Sequence, residues 1–307
     1  MSELTDTGRV APETIRAWER HLGREVEADS LRANLVEGTL PQEFHDAATR
    51  YPERTALTID GQKISHGELD RLAARAGGWL QAQGIGSGDR VVLCGDNSLN
   101  FVIAYLGILR VGGIVVPAGA ALTEPELRHF MEDSAAACAL AQGDGFERLM
   151  KIAREDSPLR LVMALKGEEA SEAPSLQQTI SVGESLEPGD ASGDDVVMLA
   201  YTSGTTGRPK GVPLSHANLL SSVRSVMWAW RWDASDVLVH ALPFSHQHGL
   251  SAVHISLLCG SRAVVHSKFD PERLCKAIEA EKATVLFAVP AIYEKLIAWE
   301  GIEEADF

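Results

Sequence analysis

Apolar residues along this chain fall into two kinds of run, and the two kinds alternate. Blocks such as Val91-Val92-Leu93, Ile114-Val115-Val116 and Val237-Leu238-Val239 are unbroken, whereas the stretches between them space their apolar residues three and four apart. Unbroken blocks of branched residues suit strands buried on both faces, and the spaced pattern suits helices lying on them. A short amphipathic helix is expected over 12–22, and another after Pro41 carrying Phe44. A strand follows at 56–59, then a helix opened by the capping pair Ser65 and Glu68 and running to about Gln83. Next come a strand at 90–94, a helix over 97–111 and a strand at 114–116. Thr123 and Glu126 form a second capping pair, with strands near 137–141 and 160–165 beyond it. The alternation resumes with a strand at 196–201, a helix from Ser215 to 230, a strand at 237–240 and a helix from about Gly249. A strand at 263–265 leads to a helix that Asp270 and Pro271 begin, then a strand at 284–289 and a helix over 291–299.

Repeated strand–helix units predict an α/β fold of layered, mainly parallel sheets flanked by helices. Residues 167–195 are acidic, punctuated by Gly, Ser and Pro, and without period, as expected of a surface connection. They set off an N-terminal extension over 1–40, a first α/β subdomain over 41–166 and a second α/β segment over 196–307.

Between the strand at 196–201 and the helix start at Ser215 lies Thr202-Ser203-Gly204-Thr205-Thr206-Gly207-Arg208-Pro209-Lys210-Gly211. Its glycines leave backbone N–H groups free to turn inward, its four hydroxyls add donors, and Lys210 adds a point charge. Such a loop cradles a polyphosphate. The Walker pattern requires a lysine directly after the second glycine, and this loop lacks it, which disfavours a kinase-like enzyme. A flexible Gly/Ser/Thr linker is the plain alternative, but a linker has no need of Pro209 and Lys210 at fixed places.

A second segment, Ala241-Leu242-Pro243-Phe244-Ser245-His246-Gln247-His248-Gly249-Leu250, follows a strand end, where open α/β sheets place ligands. With His240 and His254 it gathers four histidines. His246-x-His248 suggests zinc spacing, yet no local Cys, Asp or Glu completes a usual zinc pattern. Packed or surface histidines are the other ordinary reading.

The run from Tyr201 to Val212, followed by Ser215-His216-Ala217-Asn218-Leu219, resembles the signature of the adenylate-forming superfamily of acyl- and aryl-CoA synthetases, luciferases and adenylation domains. The histidine segment is similar to that superfamily's Leu-Pro-aromatic-His-x-His-Gly-Leu motif, with Ser245 where a bulkier residue is expected. Asp236–Pro243, Lys268-Phe269-Asp270 and Ala288–Tyr293 also resemble acyl-CoA synthetase or malonyl-CoA synthetase stretches. The resemblance, over about 40–307, implies that ATP activates a carboxylic acid as an acyl-adenylate, which then passes to coenzyme A. It assigns Thr202, Ser203, Gly204, Thr205, Thr206, Gly207 and Lys210 to the phosphates of ATP, with Mg²⁺ expected to help. It places His246, as catalytic and substrate-binding residue, and His248, as substrate-binding residue, at the acyl pocket. Downstream family motifs for adenine, ribose and the catalytic lysine lie outside this sequence. The resemblance therefore implies the N-terminal part of an enzyme, inactive alone; a non-catalytic module binding nucleotide or a partner is the competing reading. The acyl substrate is not readable, and neither is the choice between coenzyme A and a carrier protein.

Composition narrows the partners. Among 307 residues, 43 acidic side chains outweigh 28 basic ones for a net charge of −15, which repels nucleic acid and anionic lipid. No apolar stretch approaches the roughly 20 residues that a membrane-spanning helix needs, and Met1–Asp6 shows no secretory pattern. Cys94, Cys138, Cys259 and Cys275 lie in apolar runs or helices without CxxC pairing, as reduced thiols in a cytoplasmic protein would. Apolar surface left where further sequence would pack leaves room for a homodimer.

Overall fold

The computed structural model describes residues 36–155, 157–167, 173–202 and 208–304. The helix expected over 12–22 lies outside them. The described elements are α1 (Leu40–Arg50), β1 (Thr55–Ile59), β2 (Gln62–Ser65), α2 (His66–Ala82), β3 (Arg90–Cys94), α3 (Leu99–Arg110), β4 (Ile114–Ala118) and α4 (Glu124–Ser134). They continue with β5 (Cys138–Ala141), α5 (Asp144–Ala153), β6 (Leu161–Ala164), α6 (Leu176–Val182), β7 (Val196–Thr202), β8 (Lys210–Ser215) and α7 (His216–Ala229). The last are β9 (Val237–His240), α8 (Gln247–Cys259), β10 (Arg262–Val265), α9 (Pro271–Glu281), β11 (Val285–Leu286), α10 (Pro290–Ile297) and a 3₁₀ turn at Glu300–Glu304.

Two sheets result, with strand orders β11-β9-β10-β1-β2 and β6-β5-β3-β4-β7-β8. Within the first, β2 alone runs antiparallel; within the second, β8 alone does. Helices flank both, so the structure has the mainly parallel α/β layering that the alternation predicts.

Sheet membership does not follow chain order. Leu57 of β1 pairs with Ala263 of β10, while Val115 of β4 pairs with Met198 of β7. The segments 41–166 and 196–307 thus interleave across both sheets. The stretch 167–195 also contains α6, whose Ser175 caps its N-terminus and whose Leu176 and Thr179 are buried. Arg75 on α2 donates to the Gly183 carbonyl at 3.1 Å, tying this helix to the body.

Helix α3 explains why the sheets stay together. Phe101 through Arg110 are all buried, and a helix that is apolar on every side belongs inside a core. The main core joins α3 to Leu57 and Val239 of one sheet and to Val91, Leu93 and Val115 of the other. Alternate β3 residues Val92 and Cys94 face the opposite way, into a second core closed by Leu127 and Phe130 of α4 and Phe146 and Leu149 of α5. Each such fully buried aliphatic or aromatic side chain contributes about 1.5–3 kcal/mol.

Local signals hold with specific exceptions. Ser65 Oγ accepts from the Glu68 amide at 3.2 Å, but the Glu68 carboxylate turns to Arg71, so only half of that capping box forms. The Thr123 amide does donate to Glu126 Oε2, at 2.7 Å. The strand expected over 284–289 shrinks to Val285–Leu286, because it is a sheet edge and Pro290 already starts a helix. Helix α5 was not expected: Gly143-Asp144-Gly145 reads as a turn, although Phe146, Leu149 and Ile152 form a buried stripe.

Candidate active site

The residues flanking the expected phosphate loop are the facing ends of a β-hairpin. Where a loop was expected to run directly into the helix at Ser215, strand β8 intervenes, antiparallel to β7, with Thr202 opposite Lys210. Ser203, Gly204, Thr205, Thr206 and Gly207 lie outside the described residues. Thr202, Arg208 and Lys210 are exposed. Among the described residues neither Arg208 nor Lys210 has a carboxylate partner, so two unneutralised cations flank the mouth, the electrostatics that a polyphosphate requires.

The hairpin rests on α4. Tyr201 stacks on Phe130 with ring centroids 4.0 Å apart, and its hydroxyl donates to Asp133 Oδ2 at 2.6 Å. Burial first, then the Asp133 carboxylate, raise the Tyr201 hydroxyl well above the usual phenol range. Beyond the mouth, His129 Nε2 lies 2.8 Å from the Pro209 carbonyl.

The histidine segment is built differently. Of its four histidines, His240 and His254 are fully buried, while His246 and His248 are exposed. Burial pushes both inner imidazoles down to about 3, so they are neutral at pH 7. His240 Nδ1 accepts from the Leu242 amide at 3.3 Å, which puts the proton on Nε2. His254 Nε2 pairs with the Tyr105 hydroxyl at 2.8 Å. Two of the four histidines thus lie inside and two outside; among the described residues no three His, Cys, Asp or Glu converge on one point.

His246 is the N-cap residue of α8 and makes no side-chain cap bond. Its amide donates to the Pro243 carbonyl at 3.1 Å, and its own carbonyl accepts from Gly249 and Leu250 at 3.0 and 3.2 Å. Gly249 has no alternative, because a Cβ there would sit 2.3 Å from the Pro243 oxygen. His248 stacks on Phe287 at 4.6 Å. His246 is thus held by its backbone while its ring faces outward.

Asn97, at the end of β3, is the residue that sequence reasoning passed over. Its Nδ2 donates to the Leu242 and His266 carbonyls at 3.0 and 3.1 Å, and its Oδ1 accepts from the Phe244 amide at 2.8 Å. All three bonds are buried, and they bolt the second sheet to the segment that carries His246. The available signal was an amide side chain directly after a parallel strand, in Gly95-Asp96-Asn97-Ser98. Gly119, just past β4, faces Ser245: a Cβ on it would stand 3.5 Å from the Ser245 Oγ. The small residue at 245 therefore fits the seam between the sheets.

Register joins the two halves. Val115 pairs with Met198 in parallel strands, so Gly119 and Thr202, each four residues on, end level at the carboxyl edge. Ser245 abuts Gly119, so the hairpin mouth and the histidine segment face one edge of the molecule. A cleft of about 340 Å³ continues along it, lined in part by Asp96, Gln142 and Lys166.

The profile of the family described as AMP-binding enzyme matches residues 44–306. The chain belongs to this family. Among its AMP-binding relatives, the feruloyl-CoA synthase of Amycolatopsis sp. is 32% identical over 256 residues, covering 83% of this chain and 49% of its own length. The mitochondrial malonate–CoA ligase of Mus musculus is 31% identical over 293 residues, covering 91% and 48%. In structure, the inhibitor-bound N-terminal domain of FACL13 from Mycobacterium tuberculosis matches with a TM-score of 0.79 at 26% identity, over 88% of this chain and 67% of that one. The chain spans about half the length of the curated relatives it matches. Its fold is that of the N-terminal domains of acyl-CoA synthetases. No described helix is long and apolar enough to cross a membrane.

Proposed function

We propose that this chain supplies the triphosphate-binding and acyl-side halves of an ATP-dependent acyl-CoA synthetase. The observation that carries the reading is the pairing, on one carboxyl edge, of a hairpin mouth flanked by Arg208 and Lys210, without a carboxylate partner among the described residues, with the backbone-fixed segment around His246. In the first half-reaction an oxygen of the carboxylic acid attacks the α-phosphorus of ATP, giving acyl-adenylate and pyrophosphate. In the second, the thiol sulfur of coenzyme A attacks the acyl carbonyl and AMP leaves.

The residues act by holding charge and position. Thr202 and Lys210, with Ser203, Gly204, Thr205, Thr206 and Gly207 between them, grip the β- and γ-phosphates. Mg²⁺ bound with the triphosphate would supply further positive charge at the phosphates that Thr202 and Lys210 hold. His246 lines the path to the acyl carbon, and His248, packed on Phe287, shapes the wall beside it. The protein is cytoplasmic, and its partners are small molecules.

The test is ATP–pyrophosphate exchange by the active protein across a panel of carboxylic acids, with thioester and AMP read by mass spectrometry. Exchange that depends on one class of acid, followed by its CoA thioester, supports the reading. Nucleotide binding without acid-dependent exchange for any acid would sink it. The isolated 307-residue chain is expected to bind nucleotide weakly and to form no thioester.

A further inference from the structure

We propose that His129 is a positioning residue for the nucleotide loop: its Nε2–H, donated to the Pro209 carbonyl, holds the arm that carries Arg208 and Lys210. The inference rests on the assignment of that loop to the phosphates of ATP. Its starting point is an imbalance in how the two arms of the hairpin are supported.

The incoming arm, β7, is flanked by β4 and β8, and Tyr201 at its end is stacked on Phe130 and bonded to Asp133. The outgoing arm, β8, is the last strand of its sheet among the described residues, and none of it is fully buried. Its first residues have the β7 ladder on one side and, among the described residues, no strand on the other, so they depend more on any further tether. His129 supplies one, at 2.8 Å, immediately before Lys210.

A carbonyl oxygen only accepts, so the Nε2 of His129 carries the proton. The ring is held by edge contacts with Tyr201 (centroids 6.1 Å, planes at 79°) and Phe130 (6.4 Å, 74°). His129 and Asp133 are four apart on α4 and lie on one helix face, so one helix face grips both arms across the mouth. That helix is itself fixed, by the Thr123–Glu126 cap and by Arg128 bridging Glu124 and Glu155 at 3.2 and 2.8 Å.

The experiment compares the 307-residue chain with His129→Ala and His129→Gln. Trypsin reads the arm directly: it cuts after Lys210, before Gly211, and is blocked after Arg208 by Pro209. Losing one such hydrogen bond should speed cleavage after Lys210 about fivefold in the Ala variant, with melting temperature and circular dichroism unchanged. The Gln variant, whose amide can donate to the same carbonyl, should return most of the way to the wild-type rate. Titration with Mg·ATP should show affinity about fivefold weaker for Ala than for wild type, and near wild type for Gln. Equal cleavage rates in wild type and His129→Ala would overturn the tether. A clear cleavage difference with equal Mg·ATP affinity would overturn its role in nucleotide positioning. If the wild-type chain binds neither Mg·ATP nor pyrophosphate, the loop assignment has failed, and the positioning role falls with it while the cleavage data still report the tether.

Discussion

The two halves of the carboxyl edge are held by opposite means. The histidine segment is fastened from within: three buried hydrogen bonds from Asn97, a glycine packed against a carbonyl, and two neutral histidines in the core behind it. The hairpin mouth is fastened nearer the surface, by contacts of α4 with the half-buried end of β7 and with the arm β8, none of which is fully buried. Buried polar bonds carry a large penalty when broken, because the partners left behind cannot reach water. Exposed ones carry a small penalty, because water replaces them. On the proposed function, the histidine segment should therefore be a preset wall, and the hairpin mouth a part that can adjust as a nucleotide binds and leaves.

Breaking the inner fastening should have the largest effect. Asn97→Ala strands the Leu242 and His266 carbonyls and the Phe244 amide in the core, and should cost roughly 4 kcal/mol. Thermal unfolding measures it; a loss below about 1 kcal/mol would mean that the two sheets are not joined there.

Acid should act on the same region next. His240 and His254 have folded values depressed to about 3, against about 6.5 unfolded. Between those values the unfolded state binds protons that the folded state refuses, so stability is complete above pH 6.5 and drains as pH falls toward 3. Each histidine contributes up to about 1.4 kcal/mol per pH unit, roughly 2.4 kcal/mol together from pH 6 to 5. Replacing His254 with Asn should shallow that slope, and an unchanged slope would remove His254 from the account.

On the outer side, Lys210→Ala should leave unfolding unaltered and lower pyrophosphate exchange by one to two decades, the about 1.5–3 kcal/mol of a charge-assisted contact. Wild-type exchange in that variant would detach the hairpin from the phosphates. His246→Ala should likewise leave stability within about 0.5 kcal/mol of the wild type, because the ring is exposed. Thioester formation should fall while nucleotide affinity holds. A matching loss of nucleotide affinity would blur the division between the two sides.

The sequence was legible wherever a pattern recurs at short range. Runs such as Arg90–Cys94 and Val237–His240 announced strands buried on both faces, and the Asp270–Pro271 start of α9 was read at its exact cap. The family followed from one long loop motif. Pairing between distant residues was not legible. Nothing near Thr55–Ile59 says that it lies beside Arg262–Val265, so the split at 167–195 looked like a boundary between units that in fact interleave. Strand β8 was hidden because Lys210-Gly211-Val212-Pro213 carries a glycine and a proline, residues that weaken a strand pattern. Asn97 and His129 were missed for the same reason: each acts on a backbone group far along the chain, and such targets leave no local trace.

The pairing of β1 with β10 has a consequence for how the protein is made. About two hundred residues separate Leu57 from its partner Ala263. At synthesis rates of about 5–20 residues per second, β1 and β2 leave the ribosome roughly 10–40 seconds before the strand that completes their sheet exists. Through that interval the apolar faces of Leu57 and Ile59 and one open strand edge have no native cover. The second sheet has a shorter wait, since β3 through β6 follow one another closely. Birth order thus leaves the first hairpin an orphan, and a cell producing this chain must shield it until the far end of the sheet arrives.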